Sequence, residues 1–283
     1  MRPPAIALSD GEVHLWCLFP GEADDPRLIE AAPRFLDAEE LIRLKRIRVP
    51  GARRLFLAGR LLVRSALSRY ADRLPADWRF VRSRDGKPGI DPLAGPSDLT
   101  FNLAHTAGAA LLAVARGREV GVDVERRDRV VKARELIRRY FSPEERTVLE
   151  KLPEGRLRDR FFLYWTLKEA YLKALGSGLA LPLGSFGFQI TGRRPYRIGF
   201  AGFPGAEGEE ARSWRFALIS PRPPYIAALG IAPDPARGVT LRCFRAVLPG
   251  ELTPLAVSVV GLSPGVICPP PGDATLALGG KID

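Results

Sequence analysis

The 283-residue sequence contains few of the residues from which several common kinds of site are built. It has only two histidines and three cysteines, and the cysteines lie far apart and form no close pair: Cys17, Cys243 and Cys268. Reduced thiols fit this odd, scattered set better than a disulfide framework or a zinc site. The longest run of small apolar residues, Ala107 to Ala115, is far shorter than the roughly 20 residues of a membrane helix. The N-terminus also lacks a basic and apolar signal pattern, so we expect a cytoplasmic protein that does not enter a membrane.

The sequence is rich in charged residues, and the basic residues outnumber the acidic ones. Lys and Arg number 43 against 32 Asp and Glu, which gives a net charge of +11. This excess favours acidic partners, either nucleic acids, phosphorylated ligands, anionic membranes or acidic proteins, without choosing among them. No G-x-x-x-x-G-K-[ST] or G-x-G-x-x-G follows a strand, which disfavours a nucleotide-binding kinase or dehydrogenase. A basic, non-enzymatic nucleic-acid-binding protein remains an alternative, although the sequence carries no RNP, KH or helix-turn-helix signature.

Strand-like and helical stretches are mixed without regular alternation, which predicts an α+β fold of two similar halves. We predict an N-terminal half over residues 1–118, a C-terminal half over residues 119–235 and a Pro/Gly-rich extension over residues 236–283. After a strand at Val239 to Val247, the composition of the extension is typical of a loosely ordered tail, in which we expect no chemistry.

Two carboxylates stand two residues apart in the stretch GREVGVDVERRDR. In a strand, such residues project from one face with their Cα atoms roughly 6.6 Å apart, so Asp123 and Glu125 would lie side by side. The valines between them would face a core. A hard cation such as Mg²⁺ prefers carboxylate ligands, although an edge strand with one solvated polar face produces the same alternation.

The stretch YWTLKEAYLKALGSG predicts an apolar helix that Gly176 stops, with Glu169 and Lys173 one turn apart. The order of these two residues suits an ion pair on a helix surface. If Glu169 instead faces the strand that carries Asp123 and Glu125, three carboxylates converge on one ion. The spacing alone leaves both interpretations open.

Arginines and one histidine provide candidate phosphate contacts. Arg53, Arg60 and Arg64 recur at intervals that place them on one helix face. Their guanidinium groups suit bidentate phosphate contacts, although a solvated helix face has the same pattern. His105 ends a strand in FNLAHT and either orients a phosphate or is an ordinary half-buried residue.

Six motifs occur in order between about Asp37 and Phe188: GRLLVR, DGKP, FNLAHT, GVDVE, FSPEE and WTLKEAYLKALGSGL. Together they resemble the 4′-phosphopantetheinyl transferases of the Sfp type. The most specific motif is the last, in which W-x-x-K-E-[AS]-x-x-K precedes a Gly-containing turn. Two departures from the family pattern are Ala104 in place of the usual Ser before His105, and Lys45 as only an approximate match to the family's lysines.

This resemblance implies a fold of two pseudosymmetric α+β halves with a ligand cleft between them, in which coenzyme A would bind. A Mg²⁺-dependent reaction would move its phosphopantetheine arm to a serine hydroxyl of an acyl or peptidyl carrier protein, converting apo to holo protein. Adenosine 3′,5′-bisphosphate would be released. Neither nucleic acid nor membrane would be a partner, and a whole site built by one chain implies a monomer.

The resemblance also implies individual roles. The metal ligands would be Asp123, Glu125 and Glu169. Lys173 would contact the pyrophosphate, and Glu145 would be the base that activates the carrier serine, directly or through water. Phosphate contacts to coenzyme A would come from basic side chains, with either of two neighbouring arginines holding the 3′-phosphate: Lys87, His105 and Arg53 or Arg54.

Overall fold

The computed structural model describes residues 5–19, 29–30, 32–176, 181–202, 213–234, 238–247 and 251–270. These described ranges contain five α-helices: α1 (Ala38–Arg46), α2 (Pro50–Leu67), α3 (Ala133–Tyr140), α4 (Pro143–Leu149) and α5 (Glu154–Leu175). They also contain fourteen strands: β1 (Glu12–Leu18), β2 (Phe80–Arg82), β3 (Pro88–Ile90), β4 (Leu99–Thr106), β5 (Ala109–Arg116), β6 (Val120–Arg126), β7 (Gly187–Thr191), β8 (Tyr196–Gly202), β9 (Arg215–Ser220), β10 (Tyr225–Ile231), β11 (Val239–Val247), β12 (Glu251–Pro254), β13 (Ser258–Leu262) and β14 (Val266–Ile267). The predicted α+β class is therefore confirmed.

The strands form two six-stranded sheets and one small hairpin. The first sheet has the order β12-β11-β1-β5-β4, with β14 also paired to β11. The second sheet has the order β6-β10-β9-β13-β8-β7, and β2 pairs with β3. In the first sheet, β1 is antiparallel to β5 and parallel to β11, which comes from the far end of the chain.

The two sheets are stacked, and each has a helix on its outer face. Helix α2 packs on the first sheet through apolar side chains that include Leu62, Trp16 and Leu112. Helix α5 packs on the second sheet in a cluster that includes Tyr171 and Phe216. A further cluster fills the space between the sheets. This helix, sheet, sheet, helix order gives the two similar α+β halves that the sequence predicts.

Close packing of α5 on the second sheet depends on a glycine of β6. A Cβ added at Gly121 would overlap the backbone of Ala170 and Ala174 in α5. Gly230 of β10 faces the same helix, and a Cβ there would lie 3.2 Å from the Ala170 carbonyl oxygen. Because these strand positions carry no side chain, the helix backbone lies directly against β6 and β10, as strand glycines often permit. The side chains of α5 that flank this contact are thereby brought close to β6.

The expectation of a loosely ordered tail after the strand at Val239–Val247 is wrong for the described residues 251–270, which contain three strands. The predicted strand at Val239–Val247 is present as β11, inside the first sheet between β1 and β12. Strand β13 lies inside the second sheet, between β9 and β8. The Pro-rich composition concealed β13, whose partners β8 and β9 come from an earlier part of the chain. Residues 271–283 of the predicted extension lie outside the described residues.

The predicted boundary between residues 118 and 119 falls between β5 and β6, where the chain passes from the first sheet to the second. The remaining domain limits stay a prediction. Within the described ranges, no helix combines the length and the apolar character needed to cross a bilayer.

Candidate functional site

Strand β6 separates apolar and acidic side chains onto its two faces, as the alternation predicts. Val120, Val122 and Val124 are buried in the core between the sheets. Asp123 points the other way, toward α5, and is 7% exposed. There the Nζ of Lys173 lies 2.6 Å from the Oδ1 of Asp123. Strand β6 is an edge strand of its sheet, but helix α5 covers its acidic face.

The second carboxylate oxygen of Asp123 has no partner. Its Oδ2 is buried and accepts no hydrogen bond from any described residue. A buried carboxylate oxygen without a donor costs free energy, on the order of 1–3 kcal/mol or more. Such an oxygen, next to further carboxylates, is a suitable ligand for a hard cation.

Glu125 and Glu169 are each coupled electrostatically to Asp123. Burial raises the pKa of Glu125, and the negative charge of Asp123 raises it further. Burial and Asp123 likewise raise the pKa of Glu169, whereas Lys173 partly offsets this increase. The Nη2 of Arg129 lies 2.9 Å from the Oε1 of Glu125 and neutralises part of its charge. The site therefore holds more negative charge than its own cations balance.

These carboxylates interact electrostatically, but they do not form a ready metal centre among the described residues. Among the residues that the structure describes, no group of three or more His, Cys, Asp or Glu side chains is arranged as a metal centre. The chemistry of the donor set nevertheless fits Mg²⁺, because carboxylate oxygens are its usual protein ligands and one of them lacks any partner.

Lys87, predicted as a phosphate contact, reaches the same junction from the β2–β3 hairpin. Its Nζ lies 2.6 Å from the Oε2 of Glu119, 2.8 Å from the Ala174 carbonyl oxygen and 3.5 Å from the Val120 carbonyl oxygen. The ammonium thus binds acceptors at the start of β6 and at the C-terminal end of α5, where a cation is favourable. Lys87 ties the hairpin of the first half to the second half.

His105 is exposed near the end of β4, and basic side chains from both halves influence its charge state. Desolvation lowers the pKa of His105, and the positive charges of Lys173 and Arg60 lower it further. Arg60 belongs to α2 and Lys173 to α5, so basic groups of the first and second halves face each other across this point. The imidazole is therefore favoured in its neutral form, which can accept or donate a hydrogen bond.

Arg53 and Arg54 lie in the first turn of α2. The helix begins at Pro50 without a side-chain cap. Arg54 is exposed and Arg53 is half-buried, and the Nε of Arg53 finds no acceptor among the described residues. Uncapped N–H groups at a helix start and an unpaired guanidinium nitrogen both favour an anion.

Arg64 lies neither on a phosphate-binding face nor on a solvated helix face, the two interpretations that the sequence left open. It is fully buried, and its guanidinium donates to Asp37 and Glu40, each at 2.7 Å. It also donates at 2.9 Å to the carbonyl oxygens of Pro75 and Trp78. The heptad-like spacing correctly placed Arg64 on one face of α2, but that part of the face is covered by α1 and the segment before β2.

Glu145, the predicted base for the carrier serine, lies in a buried ion pair, and its catalytic role stays a prediction. Its Oε2 accepts hydrogen bonds from the Ser142 backbone N–H at 2.9 Å and lies 2.8 Å from the Nζ of Lys168. Its Oε1 accepts from the Phe188 backbone N–H at 2.8 Å. Both side chains of the Glu145–Lys168 pair are fully buried. A general base must reach the proton that it removes, so these contacts favour a structural role.

Sequence reasoning missed the partners that hold the Glu145 carboxylate. Ser142 and Glu145 form a capping box at the start of α4, and the S-x-x-E pattern that signals it is visible in FSPEE. Lys168, next to Glu169 in α5, donates to the carbonyl oxygens of Leu183 at 2.8 Å and Phe186 at 2.7 Å. This lysine therefore holds α4, α5 and the segment before β7 together.

Asn102 was also missed, although it lies in the FNLAHT motif. Its Oδ1 accepts a hydrogen bond from the Val122 backbone N–H at 2.9 Å. Because β6 is an edge strand, this N–H has no strand partner on that side. Asn102 therefore joins β4 of the first sheet to β6 of the second, one residue before Asp123.

Comparison of the sequence with known proteins identifies relatives of this chain. The family model of the 4′-phosphopantetheinyl transferase superfamily matches residues 119–229, the range from β6 through most of β10. The chain is 34% identical over 231 residues to the 4′-phosphopantetheinyl transferase HetI of Nostoc sp., covering 82% of this chain and 92% of HetI. It is 33% identical over 134 residues to the 4′-phosphopantetheinyl transferase Sfp of Bacillus subtilis, covering 47% of this chain and 57% of Sfp.

The chain therefore belongs to the 4′-phosphopantetheinyl transferase superfamily, Sfp type, and is an enzyme of the phosphopantetheinyl transferase class. Among solved structures, Thermotoga maritima holo-[acyl-carrier-protein] synthase aligns with 41% of this chain and 63% of its own, at 20% identity and a TM-score of 0.30.

Proposed function

We propose that this protein transfers the 4′-phosphopantetheine arm of coenzyme A to a serine hydroxyl of an acyl or peptidyl carrier protein, with release of adenosine 3′,5′-bisphosphate and a requirement for Mg²⁺. One observation carries the proposal. At the junction of β6 and α5, Asp123 is coupled to Glu125 and Glu169 while its Oδ2 remains buried and unpaired. The names of the relatives support the transferase class.

Asp123, Glu125 and Glu169 would hold the Mg²⁺ ion. When bound, Mg²⁺ would neutralise charge on the pyrophosphate and on the departing phosphate, which is the main need of phosphoryl-type transfer. The Lys173 ammonium, fixed 2.6 Å from Asp123, would stand beside the same phosphates. Its role is to orient the pyrophosphate and to offset its negative charge.

The remaining cations would bind the phosphates of coenzyme A. Arg53 and Arg54, at the uncapped start of α2, suit the 3′-phosphate, and His105 suits a contact nearer Lys173 because the two charges already interact. Lys87 would have to exchange a protein acceptor for a phosphate, since its ammonium contacts Glu119 and Ala174. Ala104 carries no hydroxyl, so the contact of the usual serine would be missing.

Glu169 is the better candidate for the base now that Glu145 lies in a buried ion pair. Glu169 is only partly buried, so a serine hydroxyl or a water can approach it.

The nucleic-acid-binding alternative gains nothing from the structure. Several of the arginines that suggested it are engaged with acids: Arg64 with Asp37 and Glu40, Arg118 with Asp234, and Arg126 with Asp128. It also leaves the coupled carboxylates without a purpose. A cytoplasmic location and a monomeric state stay predictions.

The test is the intact mass of a panel of apo carrier proteins after incubation with this protein, coenzyme A and Mg²⁺, beside a sample with chelator. We expect a gain of one phosphopantetheine that the chelator prevents. Asp123→Asn and Glu169→Gln should abolish the gain. Asp128→Asn, an exposed carboxylate beside the site, is the matched control and should retain it. Full activity of Asp123→Asn and Glu169→Gln would refute the metal assignment. The transferase proposal would be refuted if no carrier protein of the panel gained mass and the unaltered protein also failed to bind coenzyme A.

A further inference from the structure

The three cysteines, scattered in the sequence, are gathered in one part of the fold. Cys17 of β1 and Cys243 of β11 are buried in the core between the two sheets, and Cys268, directly after β14, packs against the same core. They are free thiols, as expected, but their separation in the sequence does not carry over to the fold. Their convergence comes from parallel strand pairing between the two ends of the chain, which sequence spacing does not reveal.

Strand register places Cys243 and Cys268 together. In the β1–β11 ladder Leu15 is opposite Cys243, and in the β11–β14 ladder Thr240 is opposite Ile267. Cys268 follows Ile267 directly and so continues along β11 toward Cys243. An interaction between the two thiols raises the pKa of Cys243 and lowers the pKa of Cys268.

Cys268 ends a segment that connects the two sheets, and we call residues 258–268 the C-terminal strap. Its first part, β13, belongs to the second sheet, and its last part, β14, belongs to the first. Between them, Ser263 exchanges hydrogen bonds with Phe216, at 3.0 Å through its N–H and 2.8 Å through its Oγ. The Val239 N–H donates to the Gly265 carbonyl oxygen at 2.8 Å. A bond at Cys268 would therefore fasten the strap to β11.

The two sulfurs differ in the way that a reactive thiol and a resolving thiol differ. Cys268 is half-buried, and the interaction with Cys243 lowers its pKa. Cys243 is buried, and its interaction with Cys268 together with burial raises its pKa. An accessible thiolate reacts first with an oxidant, and a neighbouring thiol then closes the disulfide.

We propose that Cys243 and Cys268 form a thiol–disulfide pair that locks the C-terminal strap onto β11 when a peroxide is present. The Cys268 thiolate attacks hydrogen peroxide, the O–O bond breaks, and hydroxide leaves and takes up a proton to become water. Cys268 is then a sulfenic acid. The Cys243 thiol loses its proton and attacks that sulfur, the S–S bond forms, and the S–O bond breaks with release of a second water. The two thiols lose two electrons in total, and peroxide is reduced to two waters.

The pair lies away from the acidic site. In the first sheet, β1 and β5 stand between β11 and β4, the strand that joins the site through Asn102 and His105. The proposal is therefore independent of the proposed function. Oxidation should change the stability of the strap and leave the acidic site unaltered.

The experiment is mild oxidation of the folded, full-length protein with hydrogen peroxide, followed by alkylation under denaturing conditions and peptide mapping. We expect an intact mass lower by two hydrogens, a peptide that joins Cys243 to Cys268, and an alkylated Cys17. The melting temperature should rise by roughly 5–10 °C, as closing a loop of this length predicts, and fall back after reduction.

Variants separate the pair from the third cysteine. Cys17→Ser should form the same disulfide with the same thermal shift, whereas Cys268→Ser should show neither. A Cys17–Cys243 link, oxidation of Cys268 to a sulfinic acid without a disulfide, or an unchanged melting temperature after complete bond formation would each overturn the proposal. If a variant folds poorly, the peptide map of the oxidised protein without substitutions still shows which two cysteines are joined.

Discussion

The Nζ of Lys173 lies 2.6 Å from the Oδ1 of Asp123 and joins helix α5 to strand β6. The other oxygen of the same carboxylate is buried and unpaired among the described residues. One side of Asp123 is thus fixed by the protein, while the other side is available to a cation. Glu125 and Glu169 add negative charge around it.

Replacement of Glu169 by Gln should stabilise the metal-free protein. The pKa of Glu169 is raised in the folded state by burial and by Asp123, so folded protein holds this proton to higher pH than the unfolded chain does. Stability therefore falls as pH rises through the raised pKa, and Glu169→Gln removes that loss. We expect a gain in the free energy of unfolding at pH 7 that vanishes at low pH, where Glu169 is protonated in both the folded and the unfolded state.

Urea unfolding at pH 7 and pH 4 in the presence of chelator measures this difference. Added Mg²⁺ should stabilise the unaltered protein at pH 7 but not the variant, because a ligand stabilises only a folded protein that binds it. Glu150→Gln, at an exposed carboxylate, should change little under any of these conditions. A Glu169→Gln protein that is less stable at both pH values would contradict the repulsion inferred at the site.

Replacement of Glu145 by Gln should damage stability much more than catalysis. The change leaves Lys168 buried without its counter-charge, which typically costs about 3–5 kcal/mol. The activity per folded molecule should stay within a few-fold of normal, whereas loss of a general base would reduce it by about 10²- to 10⁴-fold. Carrier modification rates at low temperature, normalised to the folded fraction from circular dichroism, make the comparison.

A second variant tests the buried pair itself. Lys168→Met combined with Glu145→Gln should be less destabilised than the sum of the two single changes, because neither charge is left alone. Additive losses would mean that the two groups do not depend on each other. A 10²-fold drop in the activity of folded Glu145→Gln protein would restore the catalytic role.

Replacement of Gly121 by Ala should separate α5 from β6. The added Cβ would overlap the backbone of Ala170 and Ala174, and neither backbone can move without disturbing the helix. We expect a loss of about 3 kcal/mol or more, together with loss of carrier modification because Lys173 and Glu169 would shift away from Asp123. Gly155→Ala, at an exposed position of α5 with open space around it, is the control and should stabilise by about 0.5–1 kcal/mol. Equal effects of the two changes would refute the close-packing argument.

Replacement of Arg64 by Lys should destabilise the first half. A lysine cannot reproduce the forked contacts that Arg64 makes with Asp37 and Glu40 or its bonds to two carbonyl oxygens. We expect a loss on the order of 3 kcal/mol in chemical unfolding. Arg54→Lys, one exposed arginine earlier on the same helix, should leave the free energy of unfolding nearly unchanged. A similar small effect for both would show that the buried contacts of Arg64 contribute little.

Periodicity predicted the elements whose partners lie nearby or whose pattern is strong. The alternation from Val120 to Glu125 predicted β6 and its two faces, and the apolar helix ending at Gly176 is present as α5. Strands β12, β13 and β14 were not predicted. They are short and lie in a segment rich in Pro and Gly, and β13 pairs with β8 and β9 from an earlier part of the chain. Local composition carries no signal for such pairing.

The amino-acid sequence by itself determined the α+β class, the acidic face of β6, the helix that carries Glu169 and Lys173, and the family resemblance. Each of these follows from local spacing or from motifs in order. Tertiary structure alone decided which charges meet. Gly121 allowed α5 to approach β6 and placed Lys173 against Asp123. Burial brought Arg64 and Glu145 into ion pairs, and parallel pairing of β1 with β11 gathered three distant cysteines. Burial and long-range pairing depend on the packing of the whole chain, so residue spacing could not reveal them.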